Sequence, residues 1–347
     1  MPSSINGRNR HEVEPDLRVI DSVLLAAGSG TRLRPLTEKI PKPALPLLDV
    51  PLGAWALADL DGLGGRVFIN ASHNHRVLTD ALSPFSERAV FVIEEPEPFG
   101  SAGTLAALKE RLSGPVVTRN ADMLSDISAQ DLVRTHLEGG ALATLGVMPV
   151  AGGADLVIGG GRALRLVDRR KEPGTAGHLW LGIAVFERTA LDLIEPERPL
   201  DLATGLIAEL VQRGEVAIHE HHGYALDVGT FDRYVRANLD LLGEIAPSPP
   251  SVLPDYVRPG SVVPAARRAL LGSLIEIEGG RAYVGSGAEV DTTSLGPGAC
   301  IMSGAKVAPT AHITRGLVLP GETVLDGITV TDGIWALGRL LPAVPVP

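Results

Sequence analysis

The sequence predicts an α/β domain followed by a shorter left-handed β-helix. Three observations carry this. From residue 19 to about residue 243, short apolar runs alternate with helical patterns, the texture of βαβ units in an α/β sheet. A proline-rich stretch at 246–254 then intervenes, stiff rather than floppy. Beyond it Val284 and Val290, and then positions 301, 307, 313 and 319, repeat an aliphatic side chain every six residues with glycines between. A period of six is that of a hexapeptide coil, each hexad forming one face. Residues 259–283 break the period, and a generic β-sandwich is the alternative. The expected division is a polar, mobile extension at 1–18, the α/β domain at 19–245, a linker at 246–258, the β-helix at 259–335 and a tail at 336–347.

Taken in order, 19–20 and 23–25 read as a buried parallel strand that ends in a glycine turn. Residues 67–69 form the next strand, with a helix over 75–82. The strand at 90–93 ends at two glutamates. Gly100-Ser101-Ala102-Gly103 leads into a helix at 104–112, and the strand at 116–117 ends in Thr118-Arg119-Asn120-Ala121-Asp122. A helix at 129–137 and a strand at 141–147 follow. Residues 156–167 read as a hairpin turning on Gly159-Gly160-Gly161. A core strand at 181–186, a helix at 202–212, a strand end at 224–230 and a closing helix at 231–242 complete the domain.

Composition sets further bounds. A chain of 347 residues allows about two domains. The apolar fraction of 45% supplies a core, and the net charge of −10 argues against a nucleic-acid partner. It leaves room for anionic substrates, because a few local cations or a metal ion can invert the field. Cys300 is the one cysteine, so neither a disulfide framework nor a cysteine-rich metal site is expected. The N-terminus has no apolar signal region and no segment reaches membrane-spanning length, which makes the cytoplasm the expected location, with no membrane partner.

The chain is organised around residues 23–46, VLLAAGSGTRLRPLTEKIPKPALP. Glycines after a strand permit a tight turn and close approach of a ligand to backbone N–H groups. Such a turn cradles phosphate, and Arg32 and Lys42 supply the neutralising cations. Pro41 and Pro43 stiffen the backbone that aims Lys42. Two other phosphate motifs do not fit: no Walker A run exists in the chain, and Leu33 stands where a dinucleotide fingerprint needs its third glycine.

LAAGSGTRLRPLT followed by PKP resembles the signature of the sugar-1-phosphate nucleotidyltransferases. The resemblance implies a Rossmann-like, mixed-sheet, GT-A-like catalytic domain, strongly to about residue 235 and loosely after it, and some members carry a C-terminal β-helix. It implies that a nucleoside triphosphate and a sugar 1-phosphate give a nucleotide-sugar and pyrophosphate. The nucleotide would lie against Leu25, Ala26, Ala27, Gly28, Ser29, Gly30 and Thr31, with Arg32 and Lys42 stabilising the leaving pyrophosphate. By overall layout the chain resembles the members that transfer guanylyl to mannose 1-phosphate.

Nucleotidyl transfer also needs a divalent cation, and Mg²⁺ takes one or two carboxylates plus substrate phosphates. Asp122, in VVTRNADML, resembles the family's Asn-Gly-Asp metal motif with Ala121 in place of glycine. Asp227, in GYALDVGTFDRY, resembles its second metal motif with Ala225 in place of tryptophan. Two like-charged strand-end carboxylates are tolerable together only with a cation between them. Gly100, Ser101, Ala102 and Gly103 resemble the turn that holds the nucleotide, and Ser101 also suits a helix cap. Lys171 stands for the sugar-phosphate lysine of a Glu-Lys-Pro motif, transposed here to Lys171-Glu172-Pro173, and a solvated loop lysine is the alternative. Gly182, in LWLGIAVF, matches a glycine of the sugar-facing strand, or is a bulge in a core strand.

Glu95 matches the position at which thymidylyltransferases carry a glutamine. A carboxylate offers acceptors only, suiting the paired donors of guanine, unless Glu95 is simply a solvated strand end. The run His219-Glu220-His221-His222 reads as a polar strand end rather than a zinc site. Three readings compete with guanylyl transfer. They are transfer of another nucleotidyl group, a catalytically silent nucleotide-sugar-sensing subunit, and a hexapeptide acyltransferase for which His312 is the one histidine in the coil. The coil also offers a surface for homo-oligomers.

Overall fold

Four apolar runs form parallel strands, β1 (Asp21–Leu25), β2 (Val67–Ala71), β3 (Ala89–Ile93) and β4 (Val116–Asn120), in the spatial order β3-β2-β1-β4. The structure, a computed structural model, describes residues 20–60, 62–85, 87–94, 97–194, 200–243 and 272–343. The expected N-terminal extension, the proline-rich linker and Glu95 lie outside the described residues. Parallel neighbours need long crossovers, and α1 (Leu52–Asp59), α2 (His75–Leu82) and α3 (Ser101–Leu108) lie in them. The chain continues through β5 (Met123–Ser125), α4 (Ala129–Gly139), β6 (Ala143–Val150), β7 (Leu156–Gly159), β8 (Arg162–Leu166) and β9 (Gly177–Phe186). α5 (Ala208–Gln212), β10 (Val216–Glu220), β11 (Ala225–Asp227) and α6 (Phe231–Leu242) follow.

β9 inserts antiparallel between β4 and β6, which makes the nine-stranded sheet mixed, in the order β3-β2-β1-β4-β9-β6-β10-β8-β7. β7 and β8 are the hairpin announced by the three glycines. Ser128 caps α4 by accepting the Asp131 N–H, and Gly140 ends it in the left-handed conformation.

Two expected elements need correction. The helix predicted at 104–112 starts at Ser101, because Gly100 at φ +77 already makes the turn. Ser101 does not cap it: its hydroxyl accepts the Leu202 N–H at 2.7 Å and ties α3 to the distant 200–202 segment. The helix predicted at 202–212 begins as a π turn over Ala203–Ile207 before α5.

The C-terminal segment is β-rich. Tyr283, Cys300, Leu317 and Ile334 pair successively in parallel, each 17 residues beyond the last. Lys306 pairs with Thr323 and His312 with Thr329 at the same step. Residues 273–277, inside the stretch where the period fails, pair antiparallel with 280–284. Ile301, Val307 and Ile313 face one internal core as the six-residue spacing predicts. The next member is Val318, not Leu319, because the turn at Arg315 (φ +47) comes one residue early. Leu319 belongs instead to the large core shared with α6, where Tyr283, Met302 and Ile334 meet Tyr234 and Leu241.

Candidate active site

Two aspartates far apart in sequence meet because a short ribbon joins the sheet's strand ends. β4 runs out at Asn120, Ala121 donates its N–H to the Leu25 carbonyl at 3.1 Å, and Asp122 turns the chain into β5. β5 pairs antiparallel with β11, Met123 opposite Asp227, and Val228 donates its N–H to the Asp122 carbonyl at 3.0 Å. Both carboxylates therefore stand at the C-terminal edge of the parallel strands, where ligands gather in open α/β sheets.

Lys42 enters the same place from a short 3₁₀ turn. Its side chain is only 7% exposed, and its ammonium lies 2.7 Å from Asp122 Oδ2 and 3.6 Å from Asp227 Oδ1. Arg233 of α6 reaches Asp227 at 3.0 Å and Arg32 at 3.8 Å. The cation that two such carboxylates require is thus supplied in part by the chain itself. The donor set also fits Mg²⁺: two half-exposed carboxylates present hard oxygens beside a cavity. Among the described residues no three His, Cys, Asp or Glu side chains cluster as metal ligands, so a metal held here would need further oxygens from substrate and water.

The glycine turn is packed against Lys42. Gly30 has φ +59, and a Cβ there would meet Thr37 Cγ2 at 3.0 Å and Lys42 Cβ at 3.1 Å, so a side chain would be both strained and crowded. A cavity of about 230 Å³ opens beside it, lined by Gly28, Gly30, Thr31, Arg32, Lys42 and Asp122 among others. Just before the turn, the Ala26 and Ala27 N–H groups donate to Asn70 Oδ1 at 2.5 and 3.1 Å. Asn70 donates in turn to Glu94 Oε1 at 3.0 Å and to the Thr104 hydroxyl at 2.9 Å, and Glu94 also accepts the Phe99 N–H at 2.8 Å. This buried network fixes the turn to β2, β3 and α3. Sequence reasoning missed it, although a polar residue ending each of two apolar strands was a usable signal.

A larger cavity, about 650 Å³, lies on the other side of Asp122 and Asp227 and also touches Arg32, Asn120, Trp180 and Gly182. Gly182 lines this cavity and is the bulge that the sequence allowed. It sits in a bulge of β9 at φ +65, and a Cβ there would come within 2.9 Å of the Asn120 side chain.

Beneath this wall Arg119 is fully buried. It donates to Asp59 from Nε and a terminal nitrogen at 3.0 and 2.7 Å, to the Leu181 carbonyl at 2.9 Å, to the Met123 carbonyl at 3.2 Å and to Ser125 Oγ at 2.8 Å. Those acceptors flank Asp122 and Gly182, so one guanidinium sets the metal-motif turn against the bulge.

The remaining expected residues are placed as follows. Lys171 points to solvent, 80% exposed and paired with Asp168 at 3.1 Å, and lines neither cavity. Arg169 of the same loop does line the larger cavity, held by Asp155 at 2.5 Å. Gly100, Ser101, Ala102 and Gly103 line neither cavity and are tied to the 200–202 segment, with the Ala102 N–H on the Leu200 carbonyl at 3.0 Å. His221 bonds Asp126 at 2.7 Å, His219 bonds Thr135 at 2.8 Å and His222 bonds Glu220 at 3.1 Å, each a structural contact.

A mixed α/β sheet, a glycine turn that carries Arg32 and packs against Lys42, and paired strand-end aspartates define a nucleotidyl-transfer enzyme. The chain matches the family model described as "Nucleotidyl transferase" over residues 21–244 and belongs to that family. It is a sugar-1-phosphate nucleotidyltransferase.

It is similar to a mannose-1-phosphate guanylyltransferase of Mycobacterium tuberculosis, 28% identical over 90% of this chain and 82% of the relative. A UTP–glucose-1-phosphate uridylyltransferase of Synechocystis is 26% identical over 92% of this chain and 86% of its own length. An N-acetylmuramate alpha-1-phosphate uridylyltransferase of Neisseria meningitidis serogroup B is 32% identical over 62% and 96%. Among solved structures, a Bacillus anthracis chain provisionally described as a glucose-1-phosphate thymidylyltransferase superposes with a TM-score of 0.56. At 20% identity over 66% of this chain and 96% of that one, it shows the fold alone. Among the described residues no helix is long and apolar enough to cross a membrane.

Proposed function

We propose that the enzyme transfers guanylyl from GTP to mannose 1-phosphate or a related hexose 1-phosphate, releasing pyrophosphate. The observation that carries the site reading is the Lys42 ammonium lodged between Asp122 and Asp227, with the glycine turn on one side and the 650 Å³ cavity on the other. The choice of GTP and mannose rests on the relative from M. tuberculosis, which matches along most of both chains.

The triphosphate lies along 25–31, and the N–H groups of Gly28, Ser29 and Gly30 have no partner among the described residues, leaving them for phosphate oxygens. The acceptor occupies the larger cavity. Its phosphate oxygen attacks the α-phosphorus in line, the bond to the bridging oxygen breaks, and pyrophosphate departs toward Arg32 and Lys42. Asp122 and Asp227 would hold Mg²⁺, which would supply positive charge at the reacting phosphates. No covalent enzyme intermediate is needed. We read the C-terminal segment as a left-handed β-helix of hexapeptide repeats, supported by the 17-residue step, two hexads and one five-residue side per coil.

Pyrophosphate release with each nucleoside triphosphate and a panel of sugar 1-phosphates tests the reading. Preferred turnover with GTP and a hexose 1-phosphate is expected. Preference for UTP or dTTP would replace the base, and silence with every pair would remove the activity.

A further inference from the structure

We propose that, among the hexose 1-phosphates related to mannose 1-phosphate, the acceptor is an acidic one that bears a second anionic group besides the phosphate at C1, in place of neutral mannose 1-phosphate itself. This rests on the reading that the 650 Å³ cavity holds the acceptor. Apart from Asp122 and Asp227, the hydrogen-bonding side chains that line it are Asn120, Trp180 and four arginines, Arg32, Arg169, Arg233 and Arg236. Trp180 gives its indole N–H to the Ile183 carbonyl. No serine, threonine, glutamate, glutamine or histidine stands among the described lining residues.

A neutral sugar presents hydroxyls that donate as well as accept, and a cavity built for it offers acceptors. Arginine only donates, and its fork matches groups that only accept: phosphate, carboxylate, sulfate. With the two aspartates committed to the reacting phosphates, Asn120 Oδ1 is the one side-chain acceptor left for hydroxyl protons. The lining suits an anion.

The four arginines fall into two sets. Arg32 and Arg233 flank Asp227 at 3.8 and 3.0 Å, at the reacting end, where the phosphates lie. Arg169 is held by a carboxylate of another segment, and Arg236 by one a turn further along its own helix α6. Asp155 grips Arg169 at 2.5 Å while its other oxygen accepts the Trp180 N–H at 3.0 Å, which fixes the guanidinium against the cavity wall. Asp240, buried and bonded to the Tyr224 hydroxyl at 2.6 Å, holds Arg236 at 3.4 Å. Neither acid of the 168–173 loop lines the cavity: Asp168 pairs with Lys171 at 3.1 Å, and Glu172 makes a two-pronged pair with Arg165 at 3.0 and 2.9 Å. Arg169 and Arg236 are therefore the cations available for a second anionic group.

The test compares matched acceptors on the full chain with its preferred triphosphate and Mg²⁺. Glucose 1-phosphate is set against glucuronate 1-phosphate, and mannose 1-phosphate against mannuronate 1-phosphate and mannose 1,6-bisphosphate. The anionic member of at least one pair is expected to win by about tenfold or more in kcat/KM, the scale of one good bond between charged groups. Arg169→Gln should collapse that ratio, the ratio rather than the absolute rate being the readout. Should Arg169→Gln fail to fold, Arg236→Gln on the exposed face of α6 provides the same readout. Neutral acceptors used equally or better, or a ratio indifferent to both substitutions, would overturn the proposal while leaving nucleotidyl transfer intact. Absence of pyrophosphate with every combination would bring down both.

Discussion

At Lys42 one nearly buried ammonium answers two carboxylates, and the glycine turn closes over its stem. Lys42→Met should lower turnover by roughly 10² to 10³, the usual scale for one preorganised stabiliser, and Arg32→Ala should fall in the same range. A rate within threefold of the parent would remove either residue from the chemistry. Arg119 makes a different prediction. Its charge is fully buried against Asp59, and breaking such a buried pair costs about 3–5 kcal/mol because the remaining carboxylate loses the guanidinium that compensates it. Arg119→Met should therefore shift the urea midpoint down sharply, with Arg119→Lys intermediate, and an unchanged midpoint would show that the brace carries no weight. The convergence of Lys42, Asp122 and Asp227 was legible because motifs singled out all three, and the structure brings them together. Arg119 and Asn70 were not legible, because their partners come from strands and helices that only the fold brings near. Lys171 was misleading: the loop that carries it presents Arg169 to the cavity instead.

At the scale of elements, apolar periodicity identified the strands and helices well, since a parallel strand buried on both faces leaves a continuous apolar run. It failed at ends, where single residues decide: Gly100 starts α3 three residues early, and Arg315 turns Val318 inward in place of Leu319. The packing of α4 and β10 makes stability depend on pH. Burial holds the imidazole of His136 below its ordinary value although Glu187 stands 3.3 Å away, and burial lowers His219 as well. The unfolded chain takes up protons near pH 6.5 that the folded chain refuses, so these histidines favour the fold above that pH and cease to as pH falls. The thermal midpoint should drop between about pH 7.5 and 5.5, and His136→Gln should flatten part of that slope. A wild-type midpoint that stays level across this range would contradict the assignment.

Over the whole molecule, the catalytic signature and the C-terminal β-rich segment share one core. Asp49, in the turn just after the Lys42 stretch, accepts the Ser303 N–H at 2.9 Å and the Tyr283 hydroxyl at 2.9 Å. From the same stretch Pro46 accepts the Tyr234 hydroxyl at 2.6 Å, and Leu48 donates to Asn238 at 3.0 Å. Asp49→Ala leaves Ser303 and Tyr283 without their acceptor and should cost about 1–3 kcal/mol, read as a lower urea midpoint. An unaltered midpoint would mean that the two parts are joined by apolar contact alone. The central claim is that Asp122 and Asp227 together hold the metal at the reacting phosphates. Pyrophosphate release by Asp122→Asn and Asp227→Asn, followed across a Mg²⁺ titration with the fold checked by circular dichroism, tests it most directly. Both variants should be folded and should lose turnover by about 10³ or more, with no recovery at high Mg²⁺. A folded variant that keeps near-parental turnover at ordinary Mg²⁺ would contradict the account.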